Sequence, residues 1–195
     1  MKEGLSEIIC IIDASGSMKL IEQDPIGGFN TFLDEQKTLP GEATLTLIQF
    51  NTDYKIVHEN KPLGEVDPIG DKDYIPRGST ALLDAIGKAL DSTGRRLANT
   101  PEENRPEKVI VAILTDGQEN ASISYNLATI NDMIRHQKET YSWEFIFLGA
   151  NQDAFAEAAK IGIDSKDTLN FASTGDGIRT AYNEMSDSIS TYRNK

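Results

Sequence analysis

The feature that most constrains the fold is an alternation between short, continuous apolar runs and longer segments with apolar residues at helical spacing. The run Ile8–Ile12 contains only isoleucines around Cys10, and such β-branched runs are typical of strands buried on both faces. Apolar runs at Leu45–Phe50, Val109–Leu114 and Trp143–Leu148 predict further strands. Because buried strands that alternate with amphipathic helices form mainly parallel sheets with helices on both faces, the sequence predicts a doubly wound α/β fold.

Two weaker patterns extend the predicted sheet to six strands. Tyr54–His58 alternates after the polar turn at 51–53, which predicts an antiparallel edge strand. Thr168–Phe171 predicts a short last strand, whereas the prolines and glycines of residues 60–79 favour a surface loop with one short helix. We therefore expect residues 1–195 to form a single domain.

Five helices are predicted between these strands. Asp24 and Pro25 predict the start of the first helix, as its cap and its first residue. The helices are expected at about Asp24–Lys37, Leu82–Leu97, Ser124–Glu139 and Asp153–Lys160, and from about Thr174 onwards.

Charge and composition narrow the possible partners and the location. The 19 basic and 31 acidic residues give a formal net charge of −12, which argues against nucleic acids and anionic membranes, both of them polyanions, as partners. The same charge can also serve solubility alone. We expect a cytoplasmic protein, because the sequence shows no signal-peptide pattern and no apolar run long enough to span a bilayer. Cys10, inside an apolar strand, is expected to be buried and unreactive.

Three polar clusters fall where predicted strands end or helices begin. Asp13-Ala14-Ser15-Gly16-Ser17 directly follows the first strand, and Thr115-Asp116-Gly117 directly follows the strand at Val109–Leu114. Gly78-Ser79-Thr80 directly precedes a predicted helix. Because ligands of open α/β sheets bind beyond the carboxyl ends of the strands, we expect the three clusters to meet at one edge of the sheet.

The side chains of these clusters are oxygen donors of the kind that hard cations prefer. Asp13 and Asp116 supply carboxylates, and Ser15, Ser17 and Thr80 supply hydroxyls. This set suits Mg²⁺, or Mn²⁺ and Ca²⁺, rather than Zn²⁺ or copper. Because neutral hydroxyls leave the metal electron-poor, we expect it to take an anionic oxygen from outside the domain.

Each of these side chains also has an ordinary structural explanation. Asp13 and Asp116 can cap the turns that follow them. Ser15 and Ser17 can be turn residues, and Thr80 can cap the next helix. Three clusters of oxygen donors at the same edge are harder to explain in this way, which favours the metal site.

The same residues carry a resemblance to a known family. The pattern Asp13-x-Ser15-x-Ser17, followed by Thr80 and then by Asp116-Gly117, resembles the metal-ion-dependent adhesion site (MIDAS) of von Willebrand factor A-type (vWA) domains. The strand and helix order is similar to the Rossmann-like vWA fold over nearly the whole chain. The stretches at 26–30 and 147–153 look like the small stand-alone members found in bacteria and phages.

The resemblance implies roles for the five residues. Ser15 and Ser17 would coordinate Mg²⁺ directly, Thr80 would do so when a ligand is bound, and Asp13 and Asp116 would act mainly through waters. It implies a module that binds proteins, captures an Asp or Glu carboxylate of its partner and is not an enzyme. It also implies an AAA-type ATPase system as a partner. The adhesion role of extracellular members is not carried over.

Other functions fit the sequence less well. A haloacid-dehalogenase-type phosphotransferase needs a second Asp two residues after Asp13, where this chain has Ser15. A serine hydrolase needs Ser, His and an acid placed together, and His58 and His136 fall on a predicted edge strand and helix without such a context. Gly87-Lys88-Ala89 lacks the glycine-rich turn of a phosphate-binding loop. A structural subunit with a vestigial metal site remains the main alternative.

Overall fold

A six-stranded sheet lies at the centre of the protein, which is described by a computed structural model over residues 1–21, 23–150 and 154–195. The strand order is β3-β2-β1-β4-β5-β6, and only β3 runs antiparallel to its neighbour. This confirms the predicted parallel sheet with one antiparallel edge strand. The strands are β1 (Lys2–Asp13), β2 (Glu42–Phe50), β3 (Tyr54–Pro62), β4 (Pro106–Thr115), β5 (Glu144–Ala150) and β6 (Thr168–Phe171).

Helices cover both faces of the sheet, as predicted. Helices α1 and α5 pack in one apolar cluster on one face, and α2, α3 and α4 contribute to a second cluster on the other. Among the described residues, no helix is both long and apolar enough to cross a membrane. The helices are α1 (Gln23–Thr38), α2 (Leu82–Ala98), α3 (Leu127–Tyr141), α4 (Ala154–Lys160) and α5 (Gly175–Arg193).

The central strand β1 shows why its sequence is apolar without alternation. Ile8, Cys10 and Ile12 belong to the cluster with α1 and α5, whereas Ile9 and Ile11 belong to the cluster with α2 and α3. Successive side chains of a strand point to opposite faces, so a strand covered on both faces must be apolar throughout. Burial raises the pKa of the Cys10 thiol to about 12, which fits the unreactive cysteine predicted above.

Some predicted boundaries were wrong. β1 begins at Lys2 rather than near Ile8, because its exposed first residues still pair with neighbouring strands. α1 begins one residue before Asp24, so Asp24 and Pro25 both lie in its first turn. The predicted start of α4 at Asp153 lies outside the described residues.

The start of α3 differs for a tertiary reason. The helix begins at Leu127, behind an Asn126 side chain that accepts a hydrogen bond from the third residue beyond it, and not at Ser124. The backbone N–H groups of Ser124 and Tyr125 instead donate to the Asp84 carboxylate of α2, each at 2.9 Å. Periodicity along one segment carries no information about such a distant acceptor.

Close packing between α1 and α5 gives a test of the fold. A methyl group at Gly28 would lie 2.3 Å from Cδ2 of the buried Tyr182 ring, whereas one at Gly27 would meet nothing within 4 Å. We expect Gly28→Ala to lower the free energy of unfolding by about 2 kcal/mol through overpacking. Gly27→Ala, the matched control, should keep or raise it, since Ala favours helices. Urea unfolding measures both, and equal effects would contradict this packing.

Candidate metal centre

The three polar clusters meet at the carboxyl edge of the sheet. Asp13 is the last residue of β1 and Thr115 the last of β4, and these two strands are parallel neighbours. The Thr115 hydroxyl donates to Oδ2 of Asp13 at 2.6 Å, which joins the first and third clusters. The Gly16 N–H donates to the Gly78 carbonyl at 2.9 Å, which joins the first and second. The predicted convergence is thus confirmed.

Asp13 is a buried carboxylate held by two hydrogen bonds. Its side chain is shielded from solvent, and it accepts the N–H of Ser15 at 2.7 Å in addition to the Thr115 hydroxyl. Burial raises the pKa of Asp13 to about 6, the hydrogen bonds from Thr115 and Ser15 oppose that rise, and the negative charge of Asp116 adds to it. A buried carboxylate near a second acid favours a nearby cation.

A chain of hydroxyl and carboxylate groups extends from Ser15 toward solvent. The Oγ atoms of Ser15 and Ser17 are 3.0 Å apart, and the Ser17 hydroxyl donates to Oδ1 of Asp116 at 2.6 Å. The Ser173 hydroxyl, just before α5, donates to the other oxygen of Asp116 at 3.4 Å. Two of the three predicted hydroxyls and both predicted carboxylates are therefore linked by hydrogen bonds, with Asp13 joined through the N–H of Ser15.

Thr80 is not the cap of helix α2, so the ordinary explanation for this residue was wrong. Ala81 occupies the capping position and makes no side-chain hydrogen bond to the helix. The N–H of Leu83 in the first turn, which has no acceptor within the helix, instead donates to the Glu119 carboxylate at 2.9 Å. Because another loop does the capping, the Thr80 hydroxyl is not needed for it.

The backbone of Thr80 is fixed by the loop that follows β4. Its N–H donates to the side-chain oxygen of Asn120 at 2.9 Å, and its carbonyl accepts the N–H of Asn120 at 3.0 Å. This reciprocal pair places Thr80 beside the Asp116-Gly117 cluster, although the two are far apart in sequence.

Three oxygen atoms from the three clusters surround one small space beside Gly117. A Cβ atom at Gly117 would lie 2.8 Å from Oγ1 of Thr80, 3.5 Å from Oγ of Ser17 and 3.6 Å from Oδ2 of Asp13. Glycine leaves this space open, whereas a larger residue would place a methyl group among the oxygens. The structure thus brings together all five predicted residues, Asp13, Ser15, Ser17, Thr80 and Asp116, through direct hydrogen bonds or through this shared space.

Several positioning residues escaped the sequence analysis. The Tyr74 hydroxyl donates to the Asp13 carbonyl at 2.6 Å, and the Asn51 amide donates to the Ala14 carbonyl at 3.3 Å. Thr115 belonged to a recognised cluster, but its bond to Asp13 depends on the pairing of β1 with β4. Tyr74 and Asn51 lie in segments without a chemical pattern, so no local signal could have identified them.

The donors at this centre are carboxylates and hydroxyls. Within residues 1–21, 23–150 and 154–195, no three His, Cys, Asp or Glu side chains cluster in a way that could hold a metal. The ring nitrogens of His58 and His136 contact the Asp67 carbonyl and the Thr140 hydroxyl, each at 3.2 Å, and none of these residues belongs to the centre. The residues therefore fit a hard cation that accepts hydroxyl ligands.

Comparison with solved structures relates this fold to known proteins. No protein-family model and no curated protein sequence matches the chain. The proximal thread matrix protein 1 of the mussel byssus shares 18% identity with a TM-score of 0.64, over 96% of this chain and 46% of the mussel chain. A further structure of that protein, with a zinc-occupied MIDAS motif, has 18% identity and a TM-score of 0.63. The match covers 95% of this chain and 46% of the mussel chain. The chain thus spans less than half of this relative.

Prokaryotic proteins show the same likeness. The ArnB paralogue VWA2 of Sulfolobus acidocaldarius has 18% identity and a TM-score of 0.58, over 89% of this chain and 43% of its own. The vWF domain of the pilus tip protein Mfa5 of Porphyromonas gingivalis has 9% identity and a TM-score of 0.66, over 95% of both chains. Identities this low establish the fold alone, and the chain has the fold of a vWA domain.

Proposed function

We propose that this protein is a divalent-metal-dependent module that binds a protein partner by capturing an Asp or Glu carboxylate. The observation that carries the proposal is the convergence of Thr80 Oγ1, Ser17 Oγ and Asp13 Oδ2 around the space beside Gly117. Three loops, distant in sequence, contribute hard oxygen donors to one point. Capping and turn formation do not require that convergence, whereas a metal does.

The five residues have distinct proposed roles. Ser15 and Ser17 hold the metal through their hydroxyls, and Thr80 joins them when a partner is bound. Asp13 and Asp116 act mainly through waters and balance the charge of the cation. Since the direct ligands are neutral, a bound metal supplies a Lewis-acidic position that favours an anionic oxygen from the partner.

Mg²⁺ is the proposed resident metal, with Mn²⁺ and Ca²⁺ as alternatives. Hydroxyl and carboxylate oxygens are the ligands that these cations prefer, whereas Zn²⁺ favours nitrogen and sulfur. The zinc-occupied MIDAS motif of the mussel protein nevertheless shows that a site of this name can take zinc in that protein. Zn²⁺ therefore belongs in the same titration as the hard cations.

Metal binding is expected to stabilise the folded protein. At a Mg²⁺ concentration ten times the dissociation constant, binding to the folded state alone adds about 1.4 kcal/mol to the free energy of unfolding. For a chain of this size that corresponds to a rise in melting temperature of about 3–6 °C. This rise is measured by thermal unfolding of metal-free protein, with and without MgCl₂ at constant ionic strength.

Two variants make this measurement specific for the centre. Ser15→Ala combined with Ser17→Ala removes the two proposed direct ligands. Gly117→Ala fills the space that oxygens of Thr80, Ser17 and Asp13 surround. Both should lose the rise with Mg²⁺ and still fold. Gly94→Ala is the matched control, because a methyl group at Gly94 meets nothing within 4 Å, and it should keep the full rise. If the melting temperature of the first two variants still rose with Mg²⁺ as it does in the unaltered protein, the metal would not bind at this site.

The charge of the chain supports a protein as the partner. A net charge of −12 disfavours nucleic acid and anionic membranes as partners, whereas one carboxylate can still bind a cation locally. An AAA-type ATPase system, implied by the family resemblance, remains part of the proposal. The alternative is a structural subunit with a vestigial site, which predicts no response to metal.

We also propose that the protein is not an enzyme. Asp13, the residue in the position of a phosphotransferase nucleophile, is buried and engaged by Ser15 and Thr115. We expect purified protein with Mg²⁺ to hydrolyse p-nitrophenyl phosphate no faster than its Asp13→Asn variant does. Release of p-nitrophenolate measures the rate, and hydrolysis that is lost in Asp13→Asn would instead support an enzyme.

A further inference from the structure

Two exposed isoleucines lie on segments that are tied to the metal centre. Ile123, in the loop between β4 and α3, is 93% exposed, and Ile75, in the segment before α2, is 59% exposed. A single exposed apolar residue is ordinary on a protein surface. Here two of them lie on segments that border one proposed binding site.

The backbone around Ile123 is fixed by a buried acid of helix α2. Oδ2 of Asp84 accepts the N–H of Ile123 at 3.2 Å, and Oδ1 accepts the N–H groups of Ser124 and Tyr125, each at 2.9 Å. The Asp84 side chain is itself buried. The loop therefore presents the isoleucine to solvent on a backbone that hydrogen bonds to α2 hold in place.

The other half of this loop is fixed in the same way. Oε1 of Glu119 accepts the N–H groups of Ala121 and Ser122, at 3.0 and 2.7 Å, while Oε2 caps α2. Asn120 pairs reciprocally with the proposed ligand Thr80. The three residues from Asn120 to Ile123 span at most about 11 Å, so a short peptide bound at the metal centre can reach Ile123.

Ile75 is held close to the first cluster. The preceding residue, Tyr74, donates its hydroxyl to the Asp13 carbonyl at 2.6 Å, and the N–H of Arg77 donates to the Ala14 carbonyl at 2.8 Å. Ile75 also lines a small surface cleft together with Ala14. The two isoleucines belong to different loops, and each loop is hydrogen-bonded to a different cluster of the centre.

We propose that Ile75 and Ile123 are apolar contacts for the partner, which presents its acidic residue in a segment with apolar side chains a few residues away. This inference rests on the proposed function, because the metal-bound carboxylate sets the register of the segment. Burial of an isoleucine against an apolar side chain gains affinity, and a fixed loop loses little entropy on binding. A segment with the same charge but polar flanks forgoes that gain.

Synthetic peptides test the inference. Two fluorescein-labelled peptides each carry a central Glu. The Leu peptide has Leu two and three residues away on both sides, and the Ser peptide has Ser at those positions. Fluorescence anisotropy with Mg²⁺ should show about tenfold tighter binding of the Leu peptide. Ile75→Ser combined with Ile123→Ser should reduce its affinity to that of the Ser peptide, and each single variant should have a smaller effect. The affinity of the Ser peptide should not change. Tyr141→Ser, an exposed residue at the end of α3, is the control and should change neither.

The outcomes separate the two proposals. Mg²⁺-dependent binding of both peptides with equal affinity overturns the apolar contacts and leaves carboxylate capture standing. Equal weakening of both peptides by the double variant Ile75→Ser with Ile123→Ser also overturns the contacts, because it indicates a general structural effect. If neither peptide binds in a Mg²⁺-dependent manner, carboxylate capture at this centre fails, and the apolar contacts fail with it.

Discussion

The parallel pairing of β1 with β4 is the interaction on which the candidate metal centre depends. It places Asp13 and Thr115 side by side at the ends of two central strands, where the Thr115 hydroxyl binds the Asp13 carboxylate. A shift of one residue in either strand would turn the side chains at the strand ends to the opposite face. β1 is apolar on both faces, so an apolar–polar alternation does not select this register; the close packing of its individual side chains against the two helix layers does. The position of the acid is thus set by the hydrophobic core.

In the loops around the centre, one set of side chains binds the backbone and another set supplies the oxygen donors. Glu119 caps α2, and Asp84 and Asn120 bind the backbone of the neighbouring segments. Because these side chains satisfy the backbone, the Thr80 hydroxyl is released from a capping role and can serve as a ligand. Gly117 completes the arrangement, since the absence of its side chain leaves an open space among the oxygens.

Much of this structure could be predicted from the sequence, because its strongest signals are local. The apolar run of β1 and the helical spacing of α2 each lie within one segment, and the strand ends place the three clusters at one edge. The start of α3 could not be predicted in this way, because Asp84 captures the N–H groups that would have begun the helix. The role of Tyr74 could not be predicted for the same reason, since its partner Asp13 is far away in the sequence. Local patterns identify potential ligands, but tertiary hydrogen bonds position them.

The location of a bound metal is the most direct test of the central claim. Crystals of the protein grown with Mn²⁺ would show the ion through its anomalous scattering. We expect one strong peak beside Gly117, with the Oγ atoms of Ser15 and Ser17 at coordination distance, about 2.1–2.2 Å. An anomalous peak only at another place, or no peak in crystals saturated with Mn²⁺, would contradict a metal centre built from these residues.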